Sequence, residues 1–346
     1  MKTVCICGHF GRHKALLNGQ TIKTKIISMA VMKKLGESEV HLIDTHGGIS
    51  HFPALLLRVC CALVRCKNIV ILPAQNGLMV ISPLIRILNI LFCRKLHYVV
   101  IGGWLPEFIA ERPLLRWVLC GFDGIYVETK TMKKALEMQG MDNVKLMPNC
   151  KNLIPLNRDD LIYAAAEPYK LCTFSRVMKE KGIEEAVNAV TLVNTQYGKT
   201  VYELDIYGQI DPGQVEWFDR LCKTFPEYVH YKGQIPFDKS IETIKNYFAL
   251  LFPTYYEGEG FAGTILDGFF SGVPVIASDW KHNGEIIENG YNGVLVPPRD
   301  VQLLADKLIE LYHAPAQWNE KKTRCLDKAR EYTAESVVDI LVNCLQ

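Results

Sequence analysis

The chain has no stretch that reads as a membrane span. Its longest uncharged run, residues 68–85, is broken by Pro73, Gln75, Asn76, Gly77 and Pro83 into a strand, a loop and a helix start. An excess of one charge is missing too. The 39 Lys and Arg nearly balance 37 Asp and Glu, and a net charge of +2 supplies no general attraction for nucleic acid. The 12 cysteines form no C-x-x-C pair: Cys5 and Cys7 share an apolar strand, Cys60 and Cys61 are adjacent, and the rest are scattered. That pattern argues against structural zinc and a disulfide scaffold, and leaves buried free thiols in a reducing cytosol as the expectation. Met1-Lys2-Thr3 leads straight into a strand-like Val-Cys-Ile-Cys-Gly, unlike a signal peptide. There is no G-x-S-x-G elbow, no H-E-x-x-H, and no Asp-x-Asp pair after a strand to hold a metal. The isolated histidines (His9, His13, His46, His51 and His97) earn no catalytic role from spacing.

What is present is alternation. Apolar runs of strand length recur at 3–7, 40–43, 68–72, 96–101, 124–127 and 144–146, and again at 171–174, 202–207, 229–231, 249–252, 273–277 and 293–296. Helical patterns fill many intervals, among them 21–35, 131–138, 182–197, 214–224 and 240–246. This predicts an α/β protein of two doubly wound, Rossmann-like domains with parallel sheets facing an interdomain cleft. The expected division is 1–155 and 156–329, within a polar, proline-containing connection, and the last helix, about 330–346, is expected to cross back onto the first domain. Residues 51–67 and 83–94 are strongly apolar with interspersed Arg58, Arg65, Arg86 and Arg94, followed by Lys95. Two readings stay open for them: core helices over a sheet, or a surface lying at a lipid interface with its cations at the headgroups.

Ligands of open parallel sheets bind beyond the carboxyl ends of the strands, and several polar features fall there. The segment Pro253-Thr-Tyr-Tyr-Glu-Gly-Glu-Gly-Phe-Ala-Gly-Thr-Ile-Leu-Asp267 follows an apolar strand and runs into a helix. It places Glu259 in the loop and Asp267 inside the helix, with Gly260 and Gly263 allowing close backbone approach. Free N–H groups at a helix start attract phosphate, and two carboxylates can hold sugar hydroxyls, so the segment suggests a nucleotide-sugar. In Ser175-Arg-Val-Met-Lys-Glu-Lys181, Arg176 and Lys181 stand where two cations could neutralise a diphosphate; surface cations are the plain alternative. Gly208 ends one strand, and Gln234 and Ile235 follow another, as a place for a nucleobase or as ordinary turns. Asn18-Gly-Gln-Thr after the first strand offers Gly19 and Gln20 at a helix start; it is neither a G-x-G-x-x-G nor a P-loop, and solvated lysines around a polar cap are the alternative. Gly102-Gly103-Trp104 opens the backbone after another strand. Trp104 could stack on a sugar or belong to the core.

Together these segments resemble glycosyltransferase family 4, retaining group 1 enzymes of the GT-B fold, over nearly the whole chain. Glu259 to Asp267 resembles the E-x7-E signature, Ser175 to Gly182 the G-R-(x)n-K-G segment, and Pro148-Asn149 the P-N before the linker. The Gly19 loop and Gly-Gly-Trp-Leu-Pro resemble members that build bacterial polysaccharides. The resemblance implies that Arg176 and Lys181 bind the donor diphosphate. Glu259 would contact the transferred sugar, the backbone of Gly260, Phe261, Ala262, Gly263 and Thr264 the sugar and phosphate, and Asp267 the ribose. Gly19 would let the first domain approach the phosphate, and Gly103 and Trp104 would lie toward the acceptor. Two departures are Asp267 in place of the second glutamate and Ser175 in place of glycine.

The implied activity is a hexosyltransferase using a UDP-sugar and a saccharide or lipid-linked saccharide acceptor in cell-surface polysaccharide synthesis. It would need no metal and no cofactor, would bind no nucleic acid, and would work in the cytoplasm or at the inner face of the plasma membrane. Alternatives are a non-catalytic nucleotide-sugar-binding protein of the same fold and a Rossmann-type epimerase or oxidoreductase, the latter weakened by the lack of G-x-G-x-x-G after strand one.

Overall fold

A computed structural model describes residues 1–11, 19–45, 52–164 and 166–345. Asn18, His13, His46 and His51 lie outside the described residues. The chain divides into two compact units, Met1–Asn152 with Tyr332–Gln346, and Leu153–Glu331.

The first unit begins with β1 (Lys2–Gly8), α1 (Gly19–Leu35), β2 (Val40–Asp44), α2 (Phe52–Arg65) and β3 (Cys66–Leu72). It continues through α3 (Gln75–Leu88), β4 (Lys95–Val99), α4 (Leu105–Ala110), α5 (Pro113–Cys120), β5 (Gly124–Val127), α6 (Lys130–Glu137) and β6 (Val144–Leu146). Its sheet runs β2-β1-β3-β4-β5-β6, parallel throughout. Near-continuous apolar strands such as Cys66–Leu72 are what a sheet covered on both faces requires.

One face is covered by α2, α3, α5 and α6, which bury Val59, Leu63, Ile81, Ile85, Leu119 and Leu136 in one core. The other carries α1 and the last helix, α14 (Ala334–Leu345), through Ile27, Val31, Val337, Val338 and Leu341. Asn68 amide nitrogen donates to Leu345 O at 2.8 Å, tying that helix to β3. Gly8 permits the close seating of α1 on β1, since a Cβ there would lie 2.7 Å from the Thr24 methyl.

The second unit holds β7 (Tyr169–Phe174), α7 (Ile183–Tyr197), β8 (Tyr202–Tyr207), α8 (Val215–Cys222), β9 (Val229–Gly233) and α9 (Ser240–Ile244). Then come β10 (Ala249–Phe252), α10 (Gly263–Phe270), β11 (Val275–Ser278), α11 (Asn283–Ile286), β12 (Gly293–Val296), α12 (Val301–His313) and α13 (Pro315–Ala329). Its parallel sheet has the order β12-β11-β10-β7-β8-β9. The winding reverses between β7 and β10, and the carboxyl ends of strands at such a reversal are where open α/β sheets bind ligands.

All the expected strands form. Three expectations need correction. Gln75, Asn76 and Gly77 are the first turn of α3, not a loop, and α3 runs through Pro83; Pro83 is half-buried while Ile81 and Ile85 hold the helix on the core. The thiols are all free, but Cys61, Cys93 and Cys120 are exposed: Cys61 and Cys120 stand on the outer sides of α2 and α5, and Cys93 lies in the turn before β4. Lys23 is not solvated: it is buried, pairs with Glu128 and donates to Val100 O at 3.0 Å, which offsets the loss of its hydration.

Candidate active site

The reversal point of the second sheet is where the sequence-marked residues gather. β7 ends at Phe174, and the chain then bends past Ser175, whose N–H donates to Tyr207 O at 3.2 Å. The close fit is made by the neighbour: Gly208 has φ 143°, and a Cβ on it would lie 1.8 Å from Ser175 O. Ser175 itself has no positive φ, so serine serves where glycine is usual. Arg176 follows, its side chain 55% exposed with Nη1 3.4 Å from Asp211 Oδ2. A pair so open and long holds the guanidinium weakly.

Lys181 closes a short 3-10 turn before Gly182, which caps α7 at φ 74°. A Cβ on Gly182 would meet Pro253 O at 2.2 Å, so glycine lets the β7–α7 loop lie against the β10–α10 loop. Three contacts cross that seam. Tyr255 N donates to Glu180 O at 2.8 Å, Thr254 Oγ1 lies 3.1 Å from the same oxygen, and Thr264 Oγ1 donates to Phe174 O at 2.9 Å.

Within the seam Lys181 Nζ is 2.5 Å from Glu259 Oε2, with side chains only 12% and 10% exposed. Thr254 Oγ1 stands 3.0 Å from the same carboxylate oxygen, so its single proton serves either Glu259 or Glu180 O. Nζ also sits 4.8 Å from the centroid of the Tyr256 ring and 5.4 Å from that of Phe252. Charge-assisted bonding and the ring faces hold the ammonium in place of water. Trp280 Nε1 fixes Tyr256 O at 2.9 Å, and Ser278 Oγ donates to Thr254 O.

Beyond Glu259, Gly260, Phe261 and Ala262 are buried, and α10 starts at Gly263 with no side chain capping it. An uncapped helix start beside a held ammonium is electropositive and offers backbone N–H groups to an anion. Asp267 lies one turn inside α10 and is 6% exposed, leaving little surface for a ribose to reach. Gly208 N–H donates to Gly233 O at 2.9 Å; past it, Gln234 is exposed and Ile235 half-buried at the end of β9.

The remaining residues marked in the sequence lie in the first unit. Gly19 is the first residue of α1, in helical rather than unusual conformation, and a Cβ on it would meet nothing within 4 Å. Gln20 Nε2 is 3.4 Å from Leu72 O. Gly103 is half-buried, and Trp104 donates its indole N–H to Ile101 O at 2.8 Å while packing edge-on against Phe108. That geometry is what a packed turn gives. Among the described residues no cluster of three or more His, Cys, Asp or Glu could hold a metal ion.

The sequence assigns Thr254 and Tyr256 no role of their own, although both stand in the segment singled out there, and marks Gly182 only as the end of a motif. The adjoining Gly258-Glu-Gly-Phe-Ala-Gly263 has G-x-G-x-x-G spacing, following β10 and opening α10.

Residues 168–314 match the family model described as "Glycosyl transferases group 1". An uncharacterized glycosyltransferase of Methanocaldococcus jannaschii is 28% identical over 149 residues, covering 41% of this chain and 36% of that protein. The GtfA subunit of a UDP-N-acetylglucosamine–peptide N-acetylglucosaminyltransferase of Streptococcus gordonii is 29% identical over 183 residues, covering 51% and 34%. The chain thus spans about a third of the length of these curated relatives. Among solved structures, Anabaena HepE in complex with UDP and glucose superposes with a TM-score of 0.73 at 14% identity, covering 100% of this chain and 99% of that one. The shared architecture is the two-unit, Rossmann-like GT-B fold.

Proposed function

From a second unit that carries a group 1 glycosyltransferase domain, we propose that this protein is a retaining glycosyltransferase. It moves a hexosyl unit from a nucleotide-sugar, a UDP-sugar by preference, to a saccharide or lipid-linked saccharide in cell-surface polysaccharide synthesis. The carrying observation is the enclosed Lys181–Glu259 pair beside the uncapped start of α10, at the point where the sheet reverses. Support for the donor comes from structural neighbours bound to UDP with a sugar, and for the pathway from an amylovoran biosynthesis glycosyltransferase of Erwinia amylovora among the relatives.

The chemistry asks for negative charge to be stabilised on the departing diphosphate. Lys181 would stabilise it as a point charge and Arg176 as a planar fork, supported by a loose hold on Asp211 that leaves the guanidinium able to turn. The α10 N–H groups add fixed dipoles that need no reorganisation as charge develops. These groups do the work of a divalent cation, so the reaction is proposed to be metal-independent. Glu259, held by Lys181 and Thr254, orients the sugar hydroxyls rather than attacking the anomeric carbon. Attack comes from the acceptor on the face the leaving group vacates, the departing phosphate taking the acceptor proton. The protein works in the cytoplasm, and with a lipid-linked acceptor at the inner face of the plasma membrane.

Glu259→Gln keeps the shape and a bond to Lys181 but removes the charge. Transfer from UDP-sugars is expected to fall roughly 100-fold or more while the circular dichroism spectrum is retained. Transfer at the wild-type rate by Glu259→Gln would remove Glu259 from the mechanism.

A further inference from the structure

The two helix layers of the first unit have outer faces of different kinds. On the α1/α14 side the surface is ion-paired: Lys33 with Glu335, and Lys34 with Asp339 at 2.9 Å. On the opposite side α2, α3 and α5 send their inner residues into one core, and α3 packs on α5. Large apolar side chains stand outward on these helices and on the 3-10 turn Asn89–Leu91 that follows α3. Leu57, Ile87, Ile90, Leu91, Leu114 and Trp117 are 65 to 81% exposed. Scattered apolar side chains on a surface need no explanation, but a whole helix layer of them does.

From α2 through α3 to β4 the charges have one sign; acids appear on this side from Glu107 onward, at Glu111 before α5 and at Glu137 on α6. No Asp or Glu occurs between Asp44 and Glu107, whereas Arg58, Arg65, Lys67, Arg86, Arg94 and Lys95 all do. Arg94 caps α2 through Leu63 O at 2.8 Å. Arg58, Arg65 and Lys67 are exposed, Arg116 on α5 is half-buried, and among the described residues none of the four is in an ion pair. A second copy of the chain would bring like charges together on this face. An anionic lipid surface satisfies both halves of it: apolar side chains enter the acyl boundary and the cations stay at the headgroups.

We propose that the outer face of α2, α3 and α5 docks on a bilayer containing anionic lipid. The lipid-linked acceptor of the proposed function gives the docking a purpose, and only that purpose rests on the transferase reading. The docking itself is read without any sugar present, so its failure and the failure of the transferase assignment are separate results.

The test is cosedimentation of the full chain with phosphatidylcholine vesicles, with and without phosphatidylglycerol. Binding is expected only with the anionic lipid, weakening as salt is raised. Ile90→Glu with Leu91→Glu, and separately Trp117→Glu, are expected to weaken partitioning by roughly tenfold or more per substitution, because the acid would have to enter the interface. These side chains are exposed, so the fold is retained, as an unchanged melting curve would show. Lys34→Glu on the ion-paired face is the control and should bind as wild type. Equal binding by the Ile90/Leu91 and Trp117 variants would overturn the proposal, as would no binding to anionic vesicles. So would a wild-type dimer in solution that the same variants dissociate.

Discussion

At the scale of single residues, glycines separate into those the protein needs and one it does not. Gly208 is required by the fold: its φ of 143° and the 1.8 Å approach of Ser175 O to a Cβ leave no room for alanine. Gly208→Ala is therefore expected to displace the Ser175–Arg176 bend and to lower the melting temperature by several degrees, on the order of 1–3 kcal/mol. Gly19 is different, since a Cβ there meets open space. Gly19→Ala should leave the melting temperature unchanged or slightly raised. If a donor phosphate approaches that backbone, the same substitution lowers donor affinity, and calorimetry against UDP reads the difference. The sequence marked Gly19 for a close phosphate and Gly208 for a nucleobase or an ordinary turn, and only the surroundings tell which of them the fold requires. Thr254 escaped notice because a threonine after a strand has no distinguishing neighbours in sequence. Its partners, Glu180 and Glu259, come from two loops.

At the scale of elements, the strands were legible because fully buried parallel strands read as continuous apolar runs between turn residues. The start of α3 was not, because Gln75-Asn-Gly77 has loop chemistry and only packing of Leu78, Ile81 and Ile85 on the sheet makes it helical. The helix α13 hides a comparable case. Lys322 is fully buried, its Nζ donates to Tyr247 O at 3.1 Å, and among the described residues no ion pair reaches it.

Burial holds the Lys322 ammonium down to about 8 from its ordinary 10.5. The unfolded chain then binds more protons than the native one between those two values, so stability rises with pH across that window. The cost is fully present below pH 8. Lys322→Met should thus raise stability at pH 7 by about 1–3 kcal/mol and flatten the rise between pH 8 and 10.5. Urea unfolding at several pH values measures both; a destabilised Lys322→Met with the slope intact would contradict the account.

At the scale of the whole molecule, one chain builds two Rossmann-like units, and its last helix returns to the first of them. The proposed donor-site residues Arg176, Lys181 and Glu259 were legible because they follow the carboxyl ends of the central strands β7 and β10, where the winding reverses. The enclosure of Asp267 and the buried Lys23–Glu128 pair were not legible, because burial of a charge depends on partners far away in sequence. Donor recognition by the second unit is the central claim, and its most direct measurement is titration calorimetry of UDP, GDP and ADP without divalent metal. Wild-type protein is predicted to bind one of them, UDP by preference, and Lys181→Ala to bind it at least tenfold more weakly, the loss of about one charge-assisted contact. Failure of all three to bind, or equal binding by Lys181→Ala, would contradict the account.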